Sequence, residues 1–466
     1  MLFSSITFLY YFLPIVLLLY YAVPRRFKNF ILLLASFVFY AWGEPKYVFL
    51  MLLSVAIGYF AGYFMDRLPK KPVMIVSIGL CLAFLLYFKY TNFFIINANA
   101  LLQTQFPLLK VVMPIGISFY TFQIISYIVD VYRGDVEKQK NYLNLATYIS
   151  MFPQLIAGPI VRYSDINKEL EERAITGEQI AEGIRRFIIG LGKKVLLANQ
   201  LGELCGVFRN SGEQTLAFYW VYAVATMLHI YFDFSGYSDM AIGLGKLLGF
   251  SFLENFNYPF MSKSVTEFWR RWHMSLGSWF RDYVYIPLGG NRRGKGRQLL
   301  NSFVVWMLTG FWHGAEWNFI LWGLLFAVLL IVEKLWLLER LNKSVILSRL
   351  YLLLVVCISF VIFSAPGVKG LGADLRGLFS VNASVNATGI VGAECLYYLK
   401  SYGPLLLLGI LGATNWPKRL YGRLRENAVI DHMSVVVEPI LLLAVLLLST
   451  AYLVDGSFNP FLYFRF

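Results

Sequence analysis

The sequence predicts an all-α, polytopic membrane protein with about eleven transmembrane helices and some re-entrant segments. Its 466 residues are 58% hydrophobic and 17% aromatic, whereas only 15% are charged. Soluble domains carry roughly 25% charged residues, so this composition excludes a large soluble protein. A helix needs about 20 mostly apolar residues to span the hydrocarbon, and charge-free runs that approach this length recur along the chain. These runs are 1–24, 29–43, 47–65, 72–88, 111–129, 141–161, 215–232, 298–312, 317–332, 350–368, 401–417 and 439–454.

The basic residues follow the pattern of a membrane protein. The net charge is +14, but excess Lys and Arg in such a protein mark cytoplasmic loops and attract anionic lipid rather than nucleic acid. Basic residues cluster at 25–28, after the first run, and at 67–71, after the third. This spacing predicts an N-terminus outside and a first loop in the cytosol. The first run has neither a basic start nor a small-residue cleavage site, so we expect a retained span.

We expect one integral membrane domain over residues 1–466, organised in three regions. Residues 1–110 form N-terminal helices, 111–335 the catalytic core, and 336–466 the C-terminal helices and tail. Within the core, Pro and Gly interrupt apolar stretches at 113–123 and 152–160. Irregular backbone at membrane depth persists only when it is buried in protein or lines a wet cavity. These breaks favour a cavity, with ordinary kinked helices as the alternative.

Two of the four histidines lie in the most aromatic part of the core. His313 interrupts an apolar run, and His273 follows a Trp-Arg-Arg-Trp sequence. An ionisable group at membrane depth is costly, so it indicates a functional site by default. Histidine also suits general-base chemistry near neutral pH. We therefore predict His313 as the first catalytic residue and His273 as the second, with a helix-packing histidine as the alternative for each.

Two carboxylates lie near the end of the run that begins at residue 215. Asp233 and Asp239 are costly there unless they are paired or hydrated. Asp233 could orient a histidine or cap a helix. Ser238 and Asp239 together favour the start of a helix over 241–248.

The stretch 263–297 carries eight basic and two acidic residues. The positive-inside rule makes it cytosolic, which alone would explain its charge. Its polar, turn-rich loop 287–294 lies between the two histidines, where a phosphate-bearing donor would enter, and Arg and Lys pair well with phosphates. The candidate donor-binding or supporting residues here and beside His313 are Trp269, Arg270, Arg271, Arg281, Asn291 and Trp312.

Metal and disulfide chemistry are not indicated. The four cysteines are scattered without paired spacing, so neither a disulfide framework nor a cysteine metal site is predicted. The histidines likewise lack the spacing and carboxylate companions of metal ligands. We expect no metal and no bound cofactor.

Five ordered motifs, at 231–240, 255–257, 267–273, 281–291 and 310–315, resemble the membrane-bound O-acyltransferase (MBOAT) family. Together with the two interrupted stretches of the core, they resemble its alginate O-acetyltransferase branch. The resemblance implies a ring of tilted helices around a central tunnel that joins the cytosol to the outside. It also implies a catalytic role at His313 and a second essential polar position at His273, which is asparagine in many eukaryotic branches.

The same resemblance implies movement of an acetyl group from a cytosolic thioester, acetyl-CoA or a carrier-protein thioester, across the bacterial cytoplasmic membrane. The acceptor would be an extracellular or cell-wall polysaccharide, such as an alginate-like exopolysaccharide or peptidoglycan. An SGNH hydrolase-like acyltransferase outside the membrane would be the partner. One alternative is a D-alanyl transferase for teichoic acid. Another is a secondary transporter, which broken helices and in-membrane ionisable groups would suit.

The chain ends in an aromatic tail, 459–466. Such a tail after a final span is typical of an interfacial anchor. The tail is also similar to the tyrosine-bearing C-terminus of a small partner in the D-alanine branch, which implies a second possibility. In that case Tyr463 would relay the acyl group to an external protein.

Overall fold

The computed structural model describes residues 1–156, 158–379 and 390–456. Over these residues the regular secondary structure is helical, without a β-strand, so the all-α prediction is confirmed. Six helical segments of this described part are long and apolar enough to cross a membrane. They are Pro45–Phe64, Lys70–Leu102, Trp317–Leu341, Val345–Ser364, Ala393–Gly412 and Ala428–Val454. The ring of about eleven helices therefore stays a prediction.

The chain forms two compact units. The first contains residues 1–187, 238–254 and 281–283, and the second contains 188–237, 255–280 and the described residues from 284 onward. The chain passes between them inside helices α10 and α12, whose bounds are given below. The expectation of one membrane domain over 1–466 stays a prediction.

The first unit is built from short and medium helices packed through aromatic side chains. Its helices are α1 (Leu13–Ala22), α2 (Lys28–Ala41), α3 (Val48–Phe64), α4 (Lys70–Leu85), α5 (Thr91–Leu102), α6 (Ile117–Arg133), α7 (Tyr142–Ser150), α8 (Phe152–Leu155), α9 (Tyr163–Glu171) and most of α10 (Gly177–Gly192). Phe8, Phe12, Phe39 and Phe152 form one buried cluster, with ring centroids 5.4 to 6.2 Å apart. This cluster joins the N-terminal helices to α8.

Irregular backbone occurs in both stretches where the sequence predicts it. Gly116, directly before α6, has a φ of +76°, and a Cβ added to it would lie 2.7 Å from the carbonyl oxygen of Leu155. Only glycine fits there, because any other residue would combine a left-handed backbone with a steric clash. A second break at Met151 separates α7 from α8. The irregular backbone is confirmed before α6 and around α8, and the cavity that it suggests stays a prediction.

The second unit holds the remaining helices of the described chain, with α12 divided between the two units. They are α11 (Asn199–Asn210), α12 (Leu216–Leu247), α13 (Val265–Trp269), α14 (Met274–Phe280), α15 (Gly294–His313), α16 (Trp317–Val332), α17 (Leu338–Leu341), α18 (Val345–Ser364), α19 (Gly367–Phe379), α20 (Ala393–Gly412), α21 (Trp416–Leu424) and α22 (Ala428–Val454). Two π-helical segments, Lys193–Ala198 and Glu333–Leu337, continue α10 and α16.

The predicted helix start at Asp239 is wrong. Asp239 lies inside α12, which runs without interruption to residue 247. Its carboxylate accepts hydrogen bonds from Nε and Nη2 of Arg186, at 3.0 and 2.7 Å. A Cβ on Gly243 would lie 2.7 Å from the carbonyl oxygen of Gly183, so α12 and α10 pack backbone to backbone in the first unit. An ion pair and close packing therefore stabilise helix where the local sequence favoured a cap.

Candidate active site

His313 is the last residue of α15, and its side chain is buried. A short loop joins α15 to α16, and the two helices pack as a hairpin. A Cβ on Gly310 would lie 2.4 Å from the carbonyl oxygen of Phe319, and one on Gly323 would lie 2.5 Å from that of Trp306. The two backbones touch because both glycines lack a side chain. This contact determines where α15 delivers His313.

Aromatic rings surround the His313 imidazole. The ring centroids of Trp312, Trp322 and Phe363 lie 5.0, 5.1 and 5.2 Å from its own. Trp322 and Phe363 stand almost perpendicular to it, at 84° and 85°. Such edge-to-face packing is favourable for aromatic rings. The rings therefore restrict the orientation of the imidazole and screen it from bulk solvent.

His273 reaches the same aromatic cluster from a different part of the chain. Its ring centroid lies 6.4 Å from that of Trp312, 6.4 Å from Phe256 and 6.5 Å from Phe234. The structure thus places both imidazoles next to one ring, that of Trp312. His273 lies outside the six apolar spans, and its burial lowers the pKa of the imidazole to about 4. The ring is therefore neutral at neutral pH.

The backbone of His273 is left-handed, with a φ of +45°. This conformation is uncommon for a residue other than glycine and costs roughly 1–3 kcal/mol, so it persists only where the surroundings enforce it. Asn255 supplies that enforcement. Its carbonyl oxygen accepts the N–H of Met274 at 3.0 Å, and its side-chain oxygen accepts the N–H and hydroxyl of Ser275 at 3.2 and 2.9 Å.

Glu333 holds the start of the segment that leads to His273. Its buried carboxylate accepts the N–H of Val265 at 2.7 Å, and the N–H and hydroxyl of Thr266 at 2.9 and 2.7 Å. These N–H groups open α13, where a helix has no internal acceptors and an acidic group is favourable. Our sequence analysis missed Asn255 and Glu333 as individual residues. The available signal for Glu333 was an acid directly after the charge-free helix α16.

Trp269 packs into the wall of the site. Its ring centroid lies 4.5 Å from that of Trp306, 5.5 Å from Trp322 and 4.9 Å from Phe326. Because Trp322 also borders His313, the α13 segment and the α15–α16 hairpin share one aromatic layer. Trp312 thus borders both histidines, whereas Trp269 is linked to His313 through Trp322.

The two arginines before His273 lie apart from the imidazoles. Arg270 is exposed at the end of α13. Arg271 pairs with Glu267 at 2.7 Å, and its carbonyl oxygen accepts the N–H of Asn257 at 2.9 Å. In the described part of the chain, neither guanidinium hydrogen-bonds to either imidazole. Their suggested role in donor binding stays a proposal.

Arg281 and Asn291 are also exposed. Arg281 belongs to the first unit and pairs with its neighbour Asp282 at 2.7 Å. Asn291, in the second unit, accepts hydrogen bonds from the Tyr285 hydroxyl and the Gln298 amide, each at 2.5 Å. Asn291 therefore links the residues that precede α15 to the first turns of that helix.

Asp233 has a buried partner that the sequence did not indicate. It forms an ion pair with Lys194, and both side chains are fully or almost fully buried in the second unit. Two charges removed from water are tolerated only when they compensate each other. The pair joins α12 to the π-helical segment after α10, and the next residue, Phe234, borders His273.

The other two histidines are not among the predicted catalytic residues. Nδ1 of His229 forms a hydrogen bond with the carbonyl oxygen of Ala198 at 2.6 Å, and His432 is exposed in α22. Tyr463 lies outside the described residues. Where side chains are described, no three or more His, Cys, Asp or Glu residues are grouped to hold a metal ion.

Comparison with known proteins identifies the family of the chain. Residues 136–373, which include both histidines, match the membrane-bound O-acyltransferase family. The chain belongs to this family. It is therefore an O-acyltransferase and a multi-pass protein of the cytoplasmic membrane. The alternative of a secondary transporter is set aside.

Three relatives narrow the comparison. The chain is 37% identical to the probable alginate O-acetylase AlgI of Pseudomonas putida, over 100% of both chains. It is 34% identical to the peptidoglycan O-acetyltransferase of Helicobacter pylori, over 72% of this chain and 70% of the relative. It is 31% identical to the teichoic acid D-alanyltransferase of Bacillus subtilis, over 56% and 71% respectively.

We predict that Gly310→Ala destabilises the protein. The new methyl group would force α15 away from α16, and overpacking of this kind costs roughly 1–3 kcal/mol. Gly296→Ala is the matched control on the same helix, because nothing lies within 4 Å of its added Cβ. Thermal unfolding of the purified proteins in detergent should show a lower melting temperature for Gly310→Ala alone. Equal melting temperatures would argue against the backbone contact.

We also predict that Asn255→Ala lowers kcat for acyl transfer by about 100-fold, because a small displacement of a site residue has an effect of that order. Asn255→Asp keeps an oxygen that accepts from Ser275 and should recover part of the rate. The measurement is kcat and KM for both variants, with melting temperatures to verify folding. A folded Asn255→Ala protein with the wild-type kcat would show that the hydrogen bonds from Met274 and Ser275 to Asn255 have no catalytic consequence.

Proposed function

We propose that this protein is a membrane O-acetyltransferase. It takes an acetyl group from a cytosolic thioester and delivers it across the bacterial cytoplasmic membrane for O-acetylation of an extracellular or cell-wall polysaccharide. The similarity to the alginate O-acetylase and peptidoglycan O-acetyltransferase relatives supports the acetyl group and the class of acceptor. The observation that carries the proposal is the buried His313 at the end of α15, with His273 on the same tryptophan.

In the proposed reaction His313 acts as general base. The acceptor hydroxyl oxygen attacks the thioester carbonyl carbon while the imidazole takes the hydroxyl proton. The C–S bond then breaks, and the proton leaves with the thiol. A second route keeps the same products. An imidazole nitrogen of His313 attacks the carbonyl, and the C–S bond breaks to release the thiolate and leave an acyl-imidazole. The acceptor hydroxyl then attacks this acyl group, the C–N bond breaks to restore the imidazole, and the hydroxyl proton balances the thiolate as the thiol.

His273 has a complementary role in this proposal. Because burial keeps its imidazole neutral, the ring has one N–H to donate. A donor aimed at the carbonyl oxygen stabilises the negative charge that develops there during attack. The hydrogen bonds that Asn255 accepts from Met274 and Ser275 would hold that N–H donor in place before the substrate arrives. A donor positioned in advance is the condition for efficient electrostatic stabilisation.

The proposed route passes through a central tunnel inside a ring of about eleven helices. The donor, acetyl-CoA or a carrier-protein thioester, would enter from the cytosol. Arg270, Arg271 and Arg281, with Trp269 and Asn291, are the proposed contacts for its phosphates and adjoining groups. On the outer side, an SGNH hydrolase-like acyltransferase would receive the acyl group and transfer it to the polysaccharide.

We predict that His313→Ala lowers acetyl transfer by about 100-fold or more, since general-base catalysis contributes about 10²–10⁴-fold. The assay follows label from radiolabelled acetyl-CoA into protein or polysaccharide in membrane vesicles that contain the enzyme. His273→Ala should also be impaired. His432→Ala is the matched control, because this histidine is exposed and lies in α22.

Normal transfer by a folded His313→Ala protein would overturn the proposed catalytic role. Label transferred by the wild-type protein from a D-alanyl carrier thioester, but not from acetyl-CoA, would instead favour the D-alanyl alternative. The teichoic acid D-alanyltransferase relative makes that second donor a necessary arm of the experiment.

We further propose Tyr463 as an acyl relay to the external partner. Tyr463→Phe removes only the hydroxyl that would carry the acyl group, so polysaccharide acylation should be lost while the protein remains folded. Tyr452→Phe, which changes a tyrosine of α22, is the control. Mass of the C-terminal peptide and acylation of the polysaccharide are the two measurements. Full acylation by Tyr463→Phe would contradict the relay.

A further inference from the structure

The first unit contains a group of basic and aromatic side chains that the proposed reaction does not use. Tyr20 and Tyr21 end α1, Lys28 begins α2, and Arg173 lies between α9 and α10. We call these four residues the basic–aromatic cluster. All four belong to the same compact unit.

Arg173 is held in one orientation by several contacts. Its Nε donates to the Tyr20 hydroxyl at 2.7 Å, and its Nη1 donates to the side-chain oxygen of Asn29 at 2.8 Å. The guanidinium carbon lies 4.5 Å from the ring centroid of Phe250 and 5.6 Å from that of Tyr20. These interactions stabilise the position of the positive charge and supply no full negative charge in return.

Lys28 places a second cation at the same tyrosine. Its Nζ lies 4.7 Å from the ring centroid of Tyr20 and 5.4 Å from that of Tyr21. In the described part of the chain, Lys28 forms neither an ion pair nor a side-chain hydrogen bond. Burial and the charges of Arg173 and Arg25 lower its pKa below the ordinary value for lysine. Among the described residues, no carboxylate within ion-pair distance of Lys28 compensates the repulsion between these cations.

The nearby polar acceptors are already occupied. The Tyr20 and Tyr21 hydroxyls donate to the carbonyl oxygens of Leu248 and Leu247, at 2.5 and 2.6 Å, at the end of α12. Over the described residues, neither Arg173 nor Lys28 has a carboxylate within ion-pair distance. An external anion would therefore stabilise this arrangement more than a new internal contact would.

The surroundings of the cluster identify the kind of anion. The basic residues at 25–28 follow the first apolar run, where the positive-inside rule predicts the cytosolic surface. Phe27 and Phe30 beside Lys28 are 45% and 51% exposed, so apolar surface adjoins the charges. An anion with an attached hydrocarbon chain matches both features, since the cytoplasmic leaflet presents anionic headgroups at this level.

We propose that the basic–aromatic cluster binds the phosphate of an anionic phospholipid in the cytosolic leaflet. Lys28 contacts the headgroup phosphate, and the acyl chains lie against Phe27 and Phe30. Arg173, whose Nη2 is buried without a hydrogen-bond partner among the described residues, attracts the phosphate electrostatically from within the protein. Arg173 is pre-oriented by Tyr20 and Asn29, whereas Lys28 is free to turn toward the ligand. The site is separate from the histidines and does not depend on the acyl-transfer proposal.

The test measures lipid binding by the purified full-length protein in neutral detergent. Native mass spectrometry with phosphatidylglycerol, phosphatidylcholine or inorganic phosphate gives the half-saturating concentration of each. We expect phosphatidylglycerol to bind most tightly, and Lys28→Gln to weaken it about fivefold, since one basic residue at an anionic surface contributes about 1 kcal/mol. Lys28→Arg should retain binding.

Lys46→Gln is the matched control, because Lys46 is exposed near the opposite end of α2 and its loss removes the same charge. Equal effects of Lys28→Gln and Lys46→Gln would overturn the site in favour of general surface charge. Equal affinity for phosphatidylcholine would overturn the preference for an anion. Binding of inorganic phosphate as tight as that of phosphatidylglycerol would overturn the lipid and assign a free-phosphate site.

Discussion

Two glycines, Gly310 and Gly323, allow the backbones of α15 and α16 to touch, and the histidine site extends outward from that contact. A Cβ at either glycine would clash with a carbonyl oxygen of the facing helix, so close backbone approach and van der Waals packing carry the association. The approach brings Trp306 and Trp322, on facing helices, close to each other and to Trp269. Trp322 then reaches His313. The position of the His313 imidazole thus depends on glycine at positions 310 and 323.

Buried polar groups provide the second level of organisation. Glu333 compensates the open N–H groups of α13, and Asp233 compensates Lys194. Asn255 accepts from the backbone and side chain that follow His273. Each of these groups would be costly in an apolar interior without its partner, because its water would be lost and not replaced. The same cost makes each partner specific and fixes the segment it belongs to.

The sequence predicts individual site residues better than the partners to which they hydrogen-bond. His313 and His273 stand out because ionisable residues are rare in apolar aromatic stretches, and Gly116 marks the start of α6 by local chemistry alone. The role of Glu333 depends on a backbone segment far away in the chain, which no local pattern reveals. Asp239 was misassigned for the same reason, because Arg186 replaces the cap that its local sequence favoured.

The left-handed backbone at His273 limits which chemistry this position can adopt. A β-branched or bulky apolar residue at that φ is a strong outlier, whereas Asn, Asp and His are enriched there. Glycine fits without strain but brings no functional group. The residues that the backbone tolerates are therefore largely those that can donate or accept a hydrogen bond. Such a position can exchange an imidazole for an amide during divergence while the main chain stays unchanged, so the fold itself biases the site toward polar catalysis.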